Sequence, residues 1–144
     1  MNERVVVDTS VMVAALNSAA GGSREVLRRC LDGRCLPLIG QKLFAEYEDV
    51  LGRLPLFARC PLSPKERDEL FNAFLGMCNW TTVFFLWRPN LSDEGDNHLI
   101  ELAVAGGARS VITHNVRDFQ SGELRFPRIL IETPGDFLKR MHND

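Results

Sequence analysis

Four acidic positions stand where strands end or helices begin: Asp8, Glu46, Asp96 and Asp118. Taken singly, each has an ordinary role open to it, as a helix cap or a solvated rim residue. Brought together they are a different object. Two carboxylates about 5 Å apart, at an effective dielectric of about 20, repel by roughly 3 kcal/mol. Such a cluster must raise its pKa values, separate, or take up a cation. An all-oxygen set of this kind suits Mg²⁺ or Mn²⁺. The histidines form no rival ligand set: His98 and His114 lie near the acids, His142 is remote, and no His-x-x-x-His or Cys/His spacing supports zinc.

The surroundings of each acid sharpen its reading. Asp8 follows Val5-Val6-Val7 and precedes Thr9-Ser10 and the apolar run Val11–Leu16. A short β-branched run reads as a buried parallel strand, and its carboxyl end is where open α/β sheets hold their sites. Thr9 and Ser10 are good caps themselves, so Asp8 is not required for that role. Further on, Leu43, Tyr47, Val50, Leu51 and Leu54 form an inward stripe at helical spacing. Glu46 borders one flank of that stripe and Glu48 the other, so periodicity leaves both as candidates. Asp96 lies three residues before Leu99, on the face shared by Leu99, Leu102, Ala103 and Gly106, at a helix's first turn. Asp93 and Glu94 read as capping groups or as supports around it. Finally, Thr113, Asn115 and Asp118 follow the buried strand Val111-Ile112 and can present oxygens at the same sheet edge, or form a polar turn.

These positions need elements to hold them. Strands are predicted at Arg4–Val7, Leu36–Ile39, Thr81–Leu86, Ser110–Thr113 and Arg128–Ile131. Helices are predicted at Ser10–Asn17, Arg24–Leu31 with Ser23 as cap, Gln41–Leu54 stopped by Pro55, 64–77, Asp93–Gly106, and from Thr133-Pro134 through Met141. The fourth has Ser63 at the cap, Pro64 in the first turn and Glu66 at the capping-box position. Alternation of strand and helix indicates a parallel sheet covered on both faces.

At 144 residues the chain suits one domain, residues 1–144, with a sizeable core. A net charge of −2 gives no global basic signal, so any nucleic-acid binding must be local. Cys30, Cys35, Cys60 and Cys78 form no Cys-x-x-Cys pair and follow no secretory leader. No stretch is long and apolar enough to span a bilayer. The expectation is a soluble cytoplasmic protein with reduced thiols and no membrane partner.

Taken together, these motifs resemble the PIN domain family, in particular its VapC-like toxins. The matching pieces are Val-Val-Val-Asp8-Thr9-Ser10, the helix bearing Glu46, Asp93-Glu94-Gly95-Asp96-Asn97, Thr113-His114-Asn115-Val116-Arg117-Asp118-Phe119, and the closing run Arg128–Leu138. The resemblance implies a three-layer α/β/α sandwich around a parallel sheet of about five strands. It implies a Mg²⁺- or Mn²⁺-dependent endoribonuclease, the toxin of a toxin–antitoxin pair, with a cognate antitoxin as partner and a homodimeric state. It matches Asp8, Glu46 rather than Glu48, and Asp96 to metal-binding catalytic acids. The family's fourth acid is commonly an Asp two residues after the Thr. Here Asn115 stands there, and Asp118 matches a further acid nearby, so this corner is shared between them. Ser10 and Thr113 match polar positions that support the ligands. Beside the site, Arg117 is a candidate phosphate contact, with Lys42 and Arg24 behind it. Trp80, Phe84, Phe85 and Trp87 read first as core or an oligomer contact and second as a base-stacking surface.

Other readings fit less well. A haloacid-dehalogenase-like phosphatase wants a second Asp where Ser10 stands, a receiver-like domain wants an acidic pair before Asp8, and no Gly-x-Gly-x-x-Gly follows a strand. The alternative that survives is a PIN-like scaffold that binds RNA or protein without cleaving, which Asn115 keeps open.

Overall fold

The computed structural model describes residues 2–83, 94–120 and 128–142, with backbone alone at 94–97 and 120. Its sheet is built from β1 (Glu3–Val7), β2 (Cys35–Ile39), β3 (Asn79–Trp80), β4 (Ser110–Ile112) and β5 (Leu130–Glu132). All pairings are parallel, in the order β3-β2-β1-β4-β5. The helices are α1 (Thr9–Asn17), α2 (Gly22–Leu31), α3 (Gln41–Leu51), α4 (Pro64–Met77), α5 (Glu94–Gly106), α6 (Val116–Gln120) and α7 (Pro134–His142), with a 3-10 turn at Leu54–Phe57.

Side-chain alternation sorts the helices into layers. Glu3 and Arg4 are neighbours in β1 and point to opposite faces. Glu3 binds Arg140 of α7, whereas Arg4 donates to the Gly106 carbonyl at the end of α5. The sheet is therefore covered by α7 on one face and α5 on the other. Helix α2 packs on α7 and α1. On the opposite face, α5 approaches β2 so closely that a Cβ on Gly106 would meet Leu38 Cδ1 at 2.4 Å. The strands between these layers are dry: Val5, Val6, Val7, Val111 and Ile112 are buried. That is why they read as continuous β-branched runs rather than alternating ones.

The chain leaves β1 toward β2 on one side and later reaches β4 on the other. This reversal opens a crevice beyond the carboxyl ends of β1 and β4, where such sheets bind ligands. Asp8 and Thr113 occupy those two ends.

Several predicted boundaries move, each for a local reason. The third strand is at Asn79–Trp80, and Thr81–Val83 lie beyond it; Phe84–Leu86 fall outside the described residues. Residues 79 and 80 pair with Leu38 and Ile39, and Thr81 N takes the last β2 carbonyl, that of Ile39. Beyond it β2 has turned into α3. Helix α3 ends at Leu51, followed by Gly52, and Pro55 lies in the separate 3-10 turn. Helix α2 begins at Gly22, so Ser23 is inside it and does not cap it. Helix α6 was not predicted, because five residues are too few to show a period. Helix α4 forms as read: Ser63 Oγ accepts from Glu66 N and the Glu66 carboxylate accepts from Ser63 N.

Candidate functional site

Asp8 holds the cap position of α1, yet its carboxylate makes no capping bond. The backbone does that work: Asp8 O accepts from Val11 N and Met12 N, and Asp8 N donates to Ile112 O, locking the residue to β4. The freed carboxylate turns into the crevice, where the residue is 6% exposed. Thr113 Oγ1 donates to its Oδ2 at 2.6 Å, Ser10 Oγ donates to the same oxygen at 3.2 Å, and Thr9 Oγ1 donates to Oδ1 at 3.4 Å. Two of these hydroxyls are themselves oriented. Asn115 N donates to Thr113 Oγ1 and His114 N donates to Ser10 Oγ. A hydroxyl that accepts a backbone N–H directs its own proton elsewhere, and here the carboxylate receives it. These hydroxyls satisfy the buried carboxylate's oxygens without bringing a positive charge to it.

Glu46 arrives from α3. The next residue, Tyr47, is fully buried and donates its hydroxyl to the Val7 carbonyl at 2.5 Å. That bond ties the helix one residue past Glu46 to the strand one residue before Asp8. Glu46 has a 38% exposed side chain, and its Oε1 lies 2.9 Å from Nε2 of buried His98. That contact joins α3 to α5. Burial holds the His98 imidazole below its ordinary pKa, while Glu46 and, more weakly, Asp8 pull it upward and Lys42 lowers it. Burial raises the Tyr47 phenol well above its usual value, with Cys78, Asp8, Cys30 and Glu46 adding to it. The Tyr47 bond to Val7 puts Glu46 and Asp8 in one neighbourhood.

The remaining expected residues distribute as follows. Asp96 lies in the first turn of α5, two residues before His98, and its backbone alone is described. Asp93 falls outside the described residues. Asn115 and Asp118 are exposed, in the turn after β4 and in α6 respectively, with Asp118 N bonded to Asn115 O. Arg117 is exposed beside them. Arg24 is not at the crevice: its guanidinium donates to the Ala15 and Leu16 carbonyls near the end of α1. Glu48 is exposed, so of the two helical candidates the structure turns Glu46 toward His98. Ser23 Oγ pairs with His114 Nε2 at 3.1 Å, tying α2 to the turn that supports Asp8. Neither that contact nor the Tyr47 bond carries a sequence signal beyond a buried polar residue on an apolar stripe.

Among the described residues no three His, Cys, Asp or Glu side chains stand close enough together to hold a metal. Asp8 and Glu46 both offer hard oxygen donors. No Lys or Arg among the described residues forms an ion pair with Asp8. A divalent cation fits that donor chemistry.

Residues 4–117 match the family model described as PIN domain. No curated protein matches. Among solved structures, the chain is similar to VapBC2 from Rickettsia felis bound to a DNA fragment from its promoter. The two share 13% identity and a TM-score of 0.56, over 90% of this chain and 98% of that one, and this likeness is one of fold.

Proposed function

This chain belongs to the PIN domain family, and on that premise we propose that it is a Mg²⁺- or Mn²⁺-dependent endoribonuclease, the toxin of a toxin–antitoxin pair. PIN domains are in general nucleases, so hydrolysis of nucleic acid is the coarse activity. One observation carries the finer reading: a buried carboxylate, Asp8, is oriented by three hydroxyls at the switch point of a parallel sheet, with Glu46 tied beside it.

Each residue has a task in this reading. Asp8, Glu46 and Asp96 hold the cation, and Asn115 and Asp118 complete the shell from the β4 side. A divalent ion bound there activates water and screens the charge that develops on phosphate. Thr113 and Ser10 keep the Asp8 oxygens aimed into the crevice, and Asp93 supports the start of α5. Tyr47 is a positioning residue that sets the spacing between α3 and β1. Exposed Arg117 neutralises a substrate phosphate. The VapBC2 likeness supports an antitoxin as partner, and a homodimer is the assembly proposed with it.

The test is direct. Purified chain cleaves RNA with Mg²⁺ or Mn²⁺, EDTA stops it, and Asp8→Asn lowers the rate by roughly 10²–10³-fold, as loss of an electrostatic group in a preorganised site does. Cleavage by Asp8→Asn at the native rate sinks the reading. RNA binding without cleavage across diverse RNAs instead favours a non-cleaving scaffold, the outcome that Asn115 at the fourth corner would explain.

A further inference from the structure

The contact between α3 and α5 joins unlike partners. Glu46 stands on the rim of α3 with its side chain 38% exposed, whereas His98 is buried. His98 Nε2 lies 2.9 Å from Glu46 Oε1, and the nitrogen itself is closed to solvent. A carboxylate oxygen can only accept, so a bond at this distance places the imidazole proton on Nε2. A partly exposed glutamate has several staggered rotamers open to it. His98 has no such freedom, since it is buried and Leu99, Ile100 and Leu102, which follow it on α5, are buried too. The fixed partner therefore sets the position of the free one.

The chemistry of that partner matters. An arginine or lysine here would bring a permanent charge and occupy the carboxylate, as Arg140 occupies Glu132. A neutral imidazole donates an N–H without a charge, and the contact falls on one oxygen, Oε1. The carboxylate is oriented and keeps its own charge. His98 also lies two residues after Asp96, so one helix carries a candidate ligand and the residue that fixes another. Tyr47 spaces α3 from β1 through a backbone carbonyl, whereas His98 acts at the carboxylate itself.

We propose that His98 is a positioning residue that holds the Glu46 carboxylate in the orientation that binds a divalent cation. This role rests on the metal-dependent ribonuclease reading and adds to it a neutral residue behind the acids. Hydrogen-bond partners of metal-ligating side chains contribute about 10- to 100-fold in metal affinity.

The experiment titrates Mn²⁺ into metal-free full-length protein at neutral pH and follows the paramagnetic resonance signal of the free ion. Native protein binds. His98→Leu keeps the volume, removes the donor and weakens binding about 10- to 100-fold. His98→Asn weakens it alike, because its amide falls short of the Nε2 position. His98→Gln, whose amide nitrogen reaches that position, recovers most of the affinity. A role in packing alone gives the opposite order, with His98→Leu closest to native. Melting temperatures of the metal-free variants show that they fold, and if His98→Leu does not, the Asn and Gln pair decides. The role is overturned if His98→Leu binds as native does, if His98→Gln binds no better than His98→Asn, or if native protein takes up no Mn²⁺. RNA cleavage with Mn²⁺ is measured alongside. If native protein cleaves and His98→Leu matches it in Mn²⁺ affinity, the His98 role falls and the ribonuclease reading stands. If His98→Leu loses Mn²⁺ and His98→Gln regains it while native protein never cleaves, the His98 role stands and the catalytic reading falls.

Discussion

Two carboxylates in this molecule are buried to nearly the same degree, and they are treated oppositely. Asp8 is 6% exposed and Glu132 is 8% exposed. Glu132 accepts two bonds from Arg140 Nε, at 3.2 and 3.0 Å, and one from Arg140 Nη2 at 2.9 Å, and Ser110 Oγ donates to it at 2.9 Å. The same guanidinium also grips Glu3. The two carboxylates hold the Arg140 guanidinium even further above its ordinary range, Glu132 first and Glu3 second. Asp8 receives hydroxyls and, among the described residues, no cation. Where a buried acid serves the fold, the chain supplies the neutralising charge from its own sequence. At Asp8 the chain orients the acid with hydroxyls and, among the described residues, brings no cation of its own to it.

That contrast can be broken by experiment. The largest effect is expected on activity: Asp8→Asn removes cleavage by roughly 10²–10³-fold but shifts unfolding free energy by less than about 1 kcal/mol, because it relieves a buried charge as it loses charge-assisted bonds. Urea unfolding beside a cleavage assay checks both halves. A large stability loss in Asp8→Asn means that the acid is structural. Arg140→Ala should do the reverse. It strands Glu132 and Glu3 and costs about 3 kcal/mol of stability, while cleavage at a temperature well below melting stays close to native. Next, Mg²⁺ or Mn²⁺ at a hundredfold excess over its dissociation constant should stabilise native protein by about 2.7 kcal/mol. A thermal scan should show no such gain in Asp8→Asn, whereas Arg140→Ala should keep it. Equal gains in native protein and Asp8→Asn would place the ion elsewhere. Smaller again is Tyr47→Phe, which deletes one buried hydroxyl bond. It should cost about 1 kcal/mol and lower cleavage more than that loss of folded protein explains, since it frees α3 from β1.

A last, gentler test uses pH. Burial pushes the Cys78 thiol up to about 12 and raises the Tyr47 phenol well above its usual value. Both groups keep protons in the folded state that the unfolded chain releases above their ordinary values, near pH 8.5 for a thiol and about 10 for a phenol. The folded state then binds more protons, so stability falls as pH rises. Melting temperature should be flat on this account up to about pH 8 and should decline from about pH 9 to 12. Tyr47→Phe should soften the decline. A flat profile through that range would show that both groups are accessible to water.

Much of the placement of the candidate site was legible because its residues declare themselves locally. The Val5–Val7 run announces a buried strand, and a polar Asp8 directly after it has an obvious sheet-end position. Thr113 after Val111-Ile112 repeats the pattern, and the structure joins the two with a 2.6 Å bond. The Ser63/Glu66 capping box is a contract between residues three apart and needed no tertiary information. Glu46 and Glu48 could not be separated that way. Both flank one apolar stripe, and only the packing of α5 against α3 turns one of them toward His98. The Tyr47 hydroxyl was hidden for the same reason: its partner is a backbone carbonyl forty residues away. Arg24 stayed a secondary candidate because an arginine near a glycine break looks alike whether it meets phosphate or, as here, the carbonyls of a neighbouring helix.

The sequence by itself determined most of the segments that become strand and helix, that the sheet is parallel and covered on both faces, and that acids fall at its edge. Those follow from hydrophobic period, β-branching and capping chemistry, all of which act over a few residues. Only the tertiary structure decided that β1 and β4 lie side by side, that Thr113 and Ser10 turn Asp8 away from its helix, and that His98 of α5 meets Glu46 of α3. These depend on strand order and on how closely α5 approaches β2. No local pattern encodes either, because each is fixed by contacts between residues far apart in the chain.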